Sequence, residues 1–423
     1  MKKITISHVD EDIYIDTLEN GLKVYLYINK NMHNNYVTFT TKYGSINNEF
    51  SDSKDGKFEK LPNGIAHFLE HKVFVQENDP QPEDYFAQSG GVCNAYTTFK
   101  NTTYLFSSCE NIYNNVAYLL DFVQNLYLTH ENVESEKGII TQEINMCNDR
   151  PSDLLYDTIR KNTIKNNPFK ESIIGTVDEV NSITKDMLEK CYNTFYHPAN
   201  MFLVVTGNFD KDEMIKKIRE NQNSKSFSPF VKPKLKKYKE PDDIVLDREI
   251  VKCNTNIPKL AYNIKINISK FNMDTRKLSI YMFIIFNLLF GDTSVFDEKM
   301  KSKGIITNTL YYNLLNIDTH FIITLSNSSD KYEELIKEID NKLLDISFIE
   351  NELERKKKVL ISNEIFSYEN IEMVNEMITD NIIFDGKIET DIIGIINSLN
   401  IDELNDVVKK IDFSKKSIVI LKK

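Results

Sequence analysis

His67, Glu70 and His71 stand in the run His67-Phe68-Leu69-Glu70-His71, which sets two imidazoles and a carboxylate close enough to hold and use a metal ion. On a helix, positions i, i+3 and i+4 share one face, so the three side chains would point the same way. Two neutral imidazoles at that spacing can share one Zn²⁺ at about 2.0–2.1 Å. The carboxylate one turn along would then reach a water on the ion and could act on it as a base. A catalytic zinc usually takes three protein ligands and keeps a fourth position open, so one ligand must come from elsewhere. Val133 to Cys147, reading VESEKGIITQEINMC, offers Glu136 and Glu143 seven residues apart, two turns along one helix face. One can ligate the metal while the other orients a ligand by hydrogen bonding. Spacing alone does not choose between them.

The elements that must carry these groups are legible nearby. Leu61-Pro62-Asn63-Gly64 is a turn or helix-start signal, and Ile65 to Val75 follows without proline or glycine. Ile65, Phe68, Leu69 and Phe74 supply an apolar face to anchor that helix. Gly90-Gly91 marks a tight turn, and Val92 to Phe99 is strand-like and free of proline, as a sheet edge allows. An exposed edge offers unpaired N–H and C=O groups to which an extended peptide can add as a further strand. Such an edge reads backbone more than side chains, which predicts broad specificity.

These residues resemble the insulinase/pitrilysin metallopeptidases, the inverzincins, in the half-length form related to mitochondrial processing peptidase. The order H-x-x-E-H carries the resemblance, together with Gly90-Gly91-Val92-Cys93-Asn94-Ala95-Tyr96-Thr97, which looks like that family's G-x-x-N-A-x-T edge strand. It continues through Phe195-Tyr196-His197-Pro198-Ala199-Asn200-Met201 and the strand-like Phe202 to Asn208. GIAHFLEHKVF, LLDFVQNLYL and EKGIITQEI look most like the bacterial branch associated with elongation factor P modification. The resemblance covers roughly residues 15–210. It implies one zinc per chain on His67, His71 and Glu143, Glu70 as the general base on the zinc-bound water, and Glu136 as the supporting carboxylate. It also implies substrate contacts at Asn94, Ala95 and Phe74. The implied fold is α+β, with two homologous α/β-roll domains per chain forming half of a clamshell that encloses a peptide. The implied activity is that of a zinc endopeptidase.

The second half departs from that pattern. Members able to work alone carry an arginine and a tyrosine in a run like L-R-E-x-G-L-x-Y, where they stabilise the substrate at the zinc. Met300-Lys301-Ser302-Lys303-Gly304-Ile305-Ile306-Thr307 places lysine and threonine at those positions, and Tyr311 and Tyr312 lie too far along. Losing such a donor costs about 10²–10³ in rate. The expected partner is therefore a homologous subunit bearing the arginine–tyrosine pair, or a second copy of this chain using Lys301. The alternative reading is a non-catalytic assembly or peptide-binding subunit of the same fold.

Bulk properties set limits. The 423 residues suffice for two or more domains. Asn221 to Asp243 is polar, basic and broken by Pro229, Pro233 and Pro241, so it reads as a linker between an N-terminal zinc-binding domain (1–220) and a C-terminal homologous domain (244–423). A repeat supports that division: Val180-Asn181-Ser182-Ile183 matches Ile396-Asn397-Ser398-Leu399, 216 residues on, and the same offset carries Leu203-Val204 onto Val419-Ile420. Both halves open with strand-like runs, Ile13–Asn29 and Ile244–Ile266, followed by helices. A net charge of −11 argues against nucleic-acid binding. The start MKKITISHVDEDIYID has no apolar signal core, and 18 uninterrupted apolar residues occur nowhere. Five scattered cysteines without C-x-x-C suit a reducing, cytoplasmic setting.

Overall fold

Met201–Gly207 reads MFLVVTG and is buried along its whole length, the signature of a strand covered on both faces. It is the centre of a seven-stranded sheet in the computed structural model, which describes residues 1–52 and 56–423. The strands are β1 (Lys2–Ile6), β2 (Glu11–Thr17), β3 (Lys23–Ile28), β4 (Asn35–Thr41), β5 (Val92–Thr97), β6 (Thr102–Ser108) and β7 (Met201–Gly207), in spatial order β1-β2-β3-β7-β4-β6-β5. Strands β3 and β7 are parallel and the other pairs antiparallel, with Leu203 set between Val24 and Phe39. Strand β5 is an edge.

The second sheet has five strands: β8 (Arg248–Lys252), β9 (Lys259–Asn267), β10 (Tyr311–Asn316), β11 (His320–Ser328) and β12 (Lys416–Lys422), in order β8-β12-β9-β11-β10. Its wiring repeats that of β3-β7-β4-β6-β5, including one parallel pair, β8 with β12. The 216-residue offset has the same basis. Helices Val177–Ser182 and Lys185–Phe195 lead into β7, as Ile392–Asn397 and Ile401–Lys410 lead into β12. The chain is therefore α+β and built twice.

The two units are interleaved along the chain, unlike the sequential halves 1–220 and 244–423 that composition suggested. One unit comprises Met1–Ile144, Ser172–Lys237 and Glu364–Asp391; the other comprises Asn145–Glu171, Tyr238–Asn363 and Ile392–Lys423. Within the first unit, helix Ile371–Asp380 packs on β7 and β4. Its buried Asn375 accepts from Thr38 at 2.6 Å and donates to the Tyr36 carbonyl at 3.1 Å. Within the second, helix Pro151–Thr163 packs on β12 and β9. Patterning marks such helices as amphipathic but cannot say which sheet they will cover.

The expected linker is tied down as well. Lys234–Leu235 pairs with Glu49–Ser51 in the first unit. In the second, buried Glu240 accepts the backbone N–H groups of Lys165, Asn166 and Asn167, each at 2.8 Å, and pairs with buried Lys265 at 2.5 Å. A carboxylate so fully bonded is a tether.

Candidate metal centre

Two helices build the centre: α1 (Ile65–Phe74) and a longer helix, α2 (His130–Asp149), of which residues 130–144 belong to the first unit. Helix α1 starts on Gly64, whose φ of 83° and close approach to the Ile174 carbonyl leave no room for a side chain. Ile65, Ala66, Phe68, Leu69 and Val73 of α1 sink into the core, which fixes where His67, Glu70 and His71 stand. Helix α2 buries Val133, Glu136, Ile140 and Ile144. That stripe brings Glu136 and Glu143 toward α1.

The ring Nε2 of His67 lies 3.6 Å from Glu143 Oε1, and Nε2 of His71 lies 3.6 Å from Glu143 Oε2. Candidate ligand atoms of the three residues all fall within 4.8 Å of one another. Ligands of a tetrahedral zinc with bonds of about 2.0–2.1 Å sit roughly 3.4 Å apart, so these donors fit that ion in type and spacing. The two glutamates differ in their surroundings. Glu136 is buried with both oxygens engaged, Oε1 with His71 Nδ1 at 3.1 Å and Oε2 with Lys72 Nζ at 3.0 Å. The Glu143 side chain is 39% exposed and presents both oxygens to the imidazoles. Nδ1 of His67 is buried without a hydrogen-bond partner among the described residues.

Glu70 is buried beside the pair, and Thr97 at the end of β5 donates to its Oε2 at 2.5 Å. Burial pushes the Glu70 carboxyl above the usual carboxylate range, with the Thr97 bond opposing. Burial also pushes His67 down to about 3, helped by His71 alongside. For His71 burial acts downward too, but the Glu136 bond and the charges of Glu136, Glu70 and Glu143 outweigh it and hold the ring above its ordinary value. Glu136 sits below the carboxylate range, because bonds from His71 and Lys72 overcome its burial.

A pH dependence of metal uptake follows. His67 is neutral throughout the working range and has no proton to lose. His71, raised, keeps its proton to higher pH, and a cation must displace it. Zinc binding at pH 6 should therefore release close to one proton, falling toward zero as pH rises past the His71 value. Affinity should drop about tenfold per pH unit below that value. Calorimetry in buffers of different ionisation enthalpy measures the count; no proton released at pH 6 would mean that His71 starts neutral.

The other expected residues fall as follows. Asn94 is exposed on edge strand β5, and its Oδ1 accepts the Ala95 N–H at 2.8 Å, so an incoming peptide would have to displace that bond to use the Ala95 amide. Phe74 is half-buried, its ring packed on Tyr104 and Phe122. Lys301, at the end of the second unit's helix Val295–Ser302, is held by Asp297 Oδ2 at 2.7 Å and Thr309 Oγ1 at 3.0 Å, while Thr307 is exposed. Sequence reading did not single out Lys72, and it gave Thr97, the last residue of the quoted edge-strand motif, no role of its own. Lys72 had one signal: it is the one lysine or arginine of α1.

Known proteins resemble this chain in sequence and fold. Residues 58–177 match the family described as Insulinase (Peptidase family M16), and residues 182–360 match Peptidase M16 inactive domain. The chain is 33% identical over 415 residues to "Uncharacterized zinc protease YmfH" of Bacillus subtilis (strain 168), covering 97% of this chain and 96% of that protein. The structure of an M16-like peptidase from Alicyclobacillus acidocaldarius superposes with a TM-score of 0.91 at 30% identity, covering 99% of both chains. The first half of the periplasmic protease PqqL from Escherichia coli shares the fold, with a TM-score of 0.74 at 16% identity over 100% of this chain and 93% of that one.

Proposed function

The chain belongs to the insulinase family of peptidases, M16, and on that premise we propose that it is the zinc-binding subunit of an endopeptidase. The observation that carries this reading is the convergence of His67 Nε2 and His71 Nε2 on the two oxygens of Glu143. A zinc ion held there would polarise the scissile carbonyl and acidify a water. The remaining work falls to the chain. Glu70 takes the proton of the attacking water and returns it to the leaving amine nitrogen. Thr97 holds the Glu70 carboxylate in place from the end of β5. Strand β5 itself, an edge with Val92 and Asn94 exposed, would receive the substrate backbone as an added strand.

The chain is active, in this reading, with a homologous subunit that supplies the missing arginine and tyrosine. Lys301 supports it: its ammonium is already committed to Asp297 and Thr309. Thr307 offers only a short exposed hydroxyl where a phenol would be needed. The five scattered cysteines, without a C-x-x-C, fit a cytoplasmic enzyme. Cleavage of a peptide library across a mixing series tests the reading. Turnover should rise at least tenfold as an arginine- and tyrosine-bearing partner is added, and a chelator should abolish it. Full activity of the chain alone would remove the partner; no chelator-sensitive cleavage in any mixture would favour the non-catalytic assembly role.

A further inference from the structure

Lys72 is a charged residue in the wrong place for a core-facing helix position. It sits between His71 and Val73 on α1, its side chain is 1% exposed, and Leu69 and Val73 around it are buried. An ammonium that loses its water needs partners, and burying one without a task is unfavourable. Its partners all lie on α2. Nζ donates to the Asn132 carbonyl at 2.9 Å and to Glu136 Oε2 at 3.0 Å. One cation thus grips two successive turns at the start of α2, and Glu143 projects two turns further along the same helix.

The grip has a second consequence at the carboxylate. Glu136 is clasped from both sides by consecutive residues of α1, His71 at Oε1 and Lys72 at Oε2. With one oxygen fixed by Lys72, the other can face only His71 Nδ1. A hydrogen bond at Nδ1 fixes the ring plane and leaves Nε2 as the ligand atom. We propose that Lys72 is a positioning residue for the zinc centre: through Glu136 it sets the orientation of His71. The inference rests on reading His67, His71 and Glu143 as a zinc site.

Zinc affinity, measured by competition with a chromogenic chelator, tests it in wild type, K72M, E136Q and the double variant, with the visible spectrum of Co²⁺ in each. K72M should weaken zinc at least tenfold and change the Co²⁺ spectrum, since loss of an outer partner of a ligand typically costs about 10–100-fold in affinity. In the E136Q background the same change should cost under threefold, because Lys72 acts through that carboxylate. A purely structural lysine would lower the melting temperature of the metal-free protein equally in both backgrounds and leave the Co²⁺ spectrum alone. Zinc binding in K72M as tight as wild type or tighter, or the same loss in both backgrounds, overturns the proposal. K72Q keeps a donor at the site and should show a smaller loss in the same direction; it serves if K72M does not fold. Wild-type protein that takes up no zinc would remove the underlying site instead, so the two failures are distinguishable.

Discussion

Glu70→Gln should bind zinc like the wild type and cleave peptides slower by a factor of about 10² or more, the contribution of a positioned general base. The substitution keeps length and shape, and an amide oxygen can still accept the Thr97 hydroxyl that now bonds Glu70 Oε2. What it removes is the lone pair that takes a proton and later gives it back. Burial raises the carboxyl above the ordinary range, which brings it closer to a group that can both accept and return a proton near neutral pH. The same burial makes the charged form unfavourable in the metal-free protein, so the neutral amide should not lower the melting temperature of that form. Two outcomes would sink the role. Turnover near wild type would free Glu70 of any part in proton transfer, and loss of bound zinc would make it a ligand.

The pentad, the edge strand and the doubling of the fold could be read from residue order because each depends on local periodicity. His67, Glu70 and His71 share a face on any helix, and a repeat with a constant offset shows itself without coordinates. The interleaving of units could not be read that way. Helix Ile371–Asp380 is amphipathic wherever it packs, and what ties it to the first sheet is the polar fit of Asn375 against Thr38 and Tyr36 together with the clustering of Val374 and Ile378 with Tyr25, Tyr27 and Val204. Lys72, and the bond that Thr97 makes, were hidden for the same reason. A threonine in a strand and a lysine in a helix are ordinary residues until Glu70 and Glu136 arrive opposite them from 27 residues upstream and 64 residues downstream. Residue spacing left Glu136 and Glu143 equivalent, and the resemblance alone chose between them. In the structure they are unequal: one is enclosed between His71 and Lys72, the other open toward both imidazoles.

That inequality predicts a graded loss of metal. His71→Ala should reduce zinc from one equivalent per chain to under a tenth after dialysis, because it removes a ligand nitrogen and leaves Glu136 facing an empty space. Glu143→Gln should do nearly the same, since an amide oxygen is a poorer zinc donor than a carboxylate and both Glu143 oxygens face the rings. Glu136→Gln should behave differently. It keeps an acceptor for His71 Nδ1 and opens no gap in the ligand set, so it should hold metal with affinity reduced about 10–100-fold. Elemental analysis of the three proteins, purified side by side, gives the order directly. Full occupancy in His71→Ala would dismiss the site, and greater loss in Glu136→Gln than in Glu143→Gln would exchange the two carboxylates. The expected order follows from what each oxygen already touches, because a carboxylate with both oxygens occupied behind a ring has none left to face the metal.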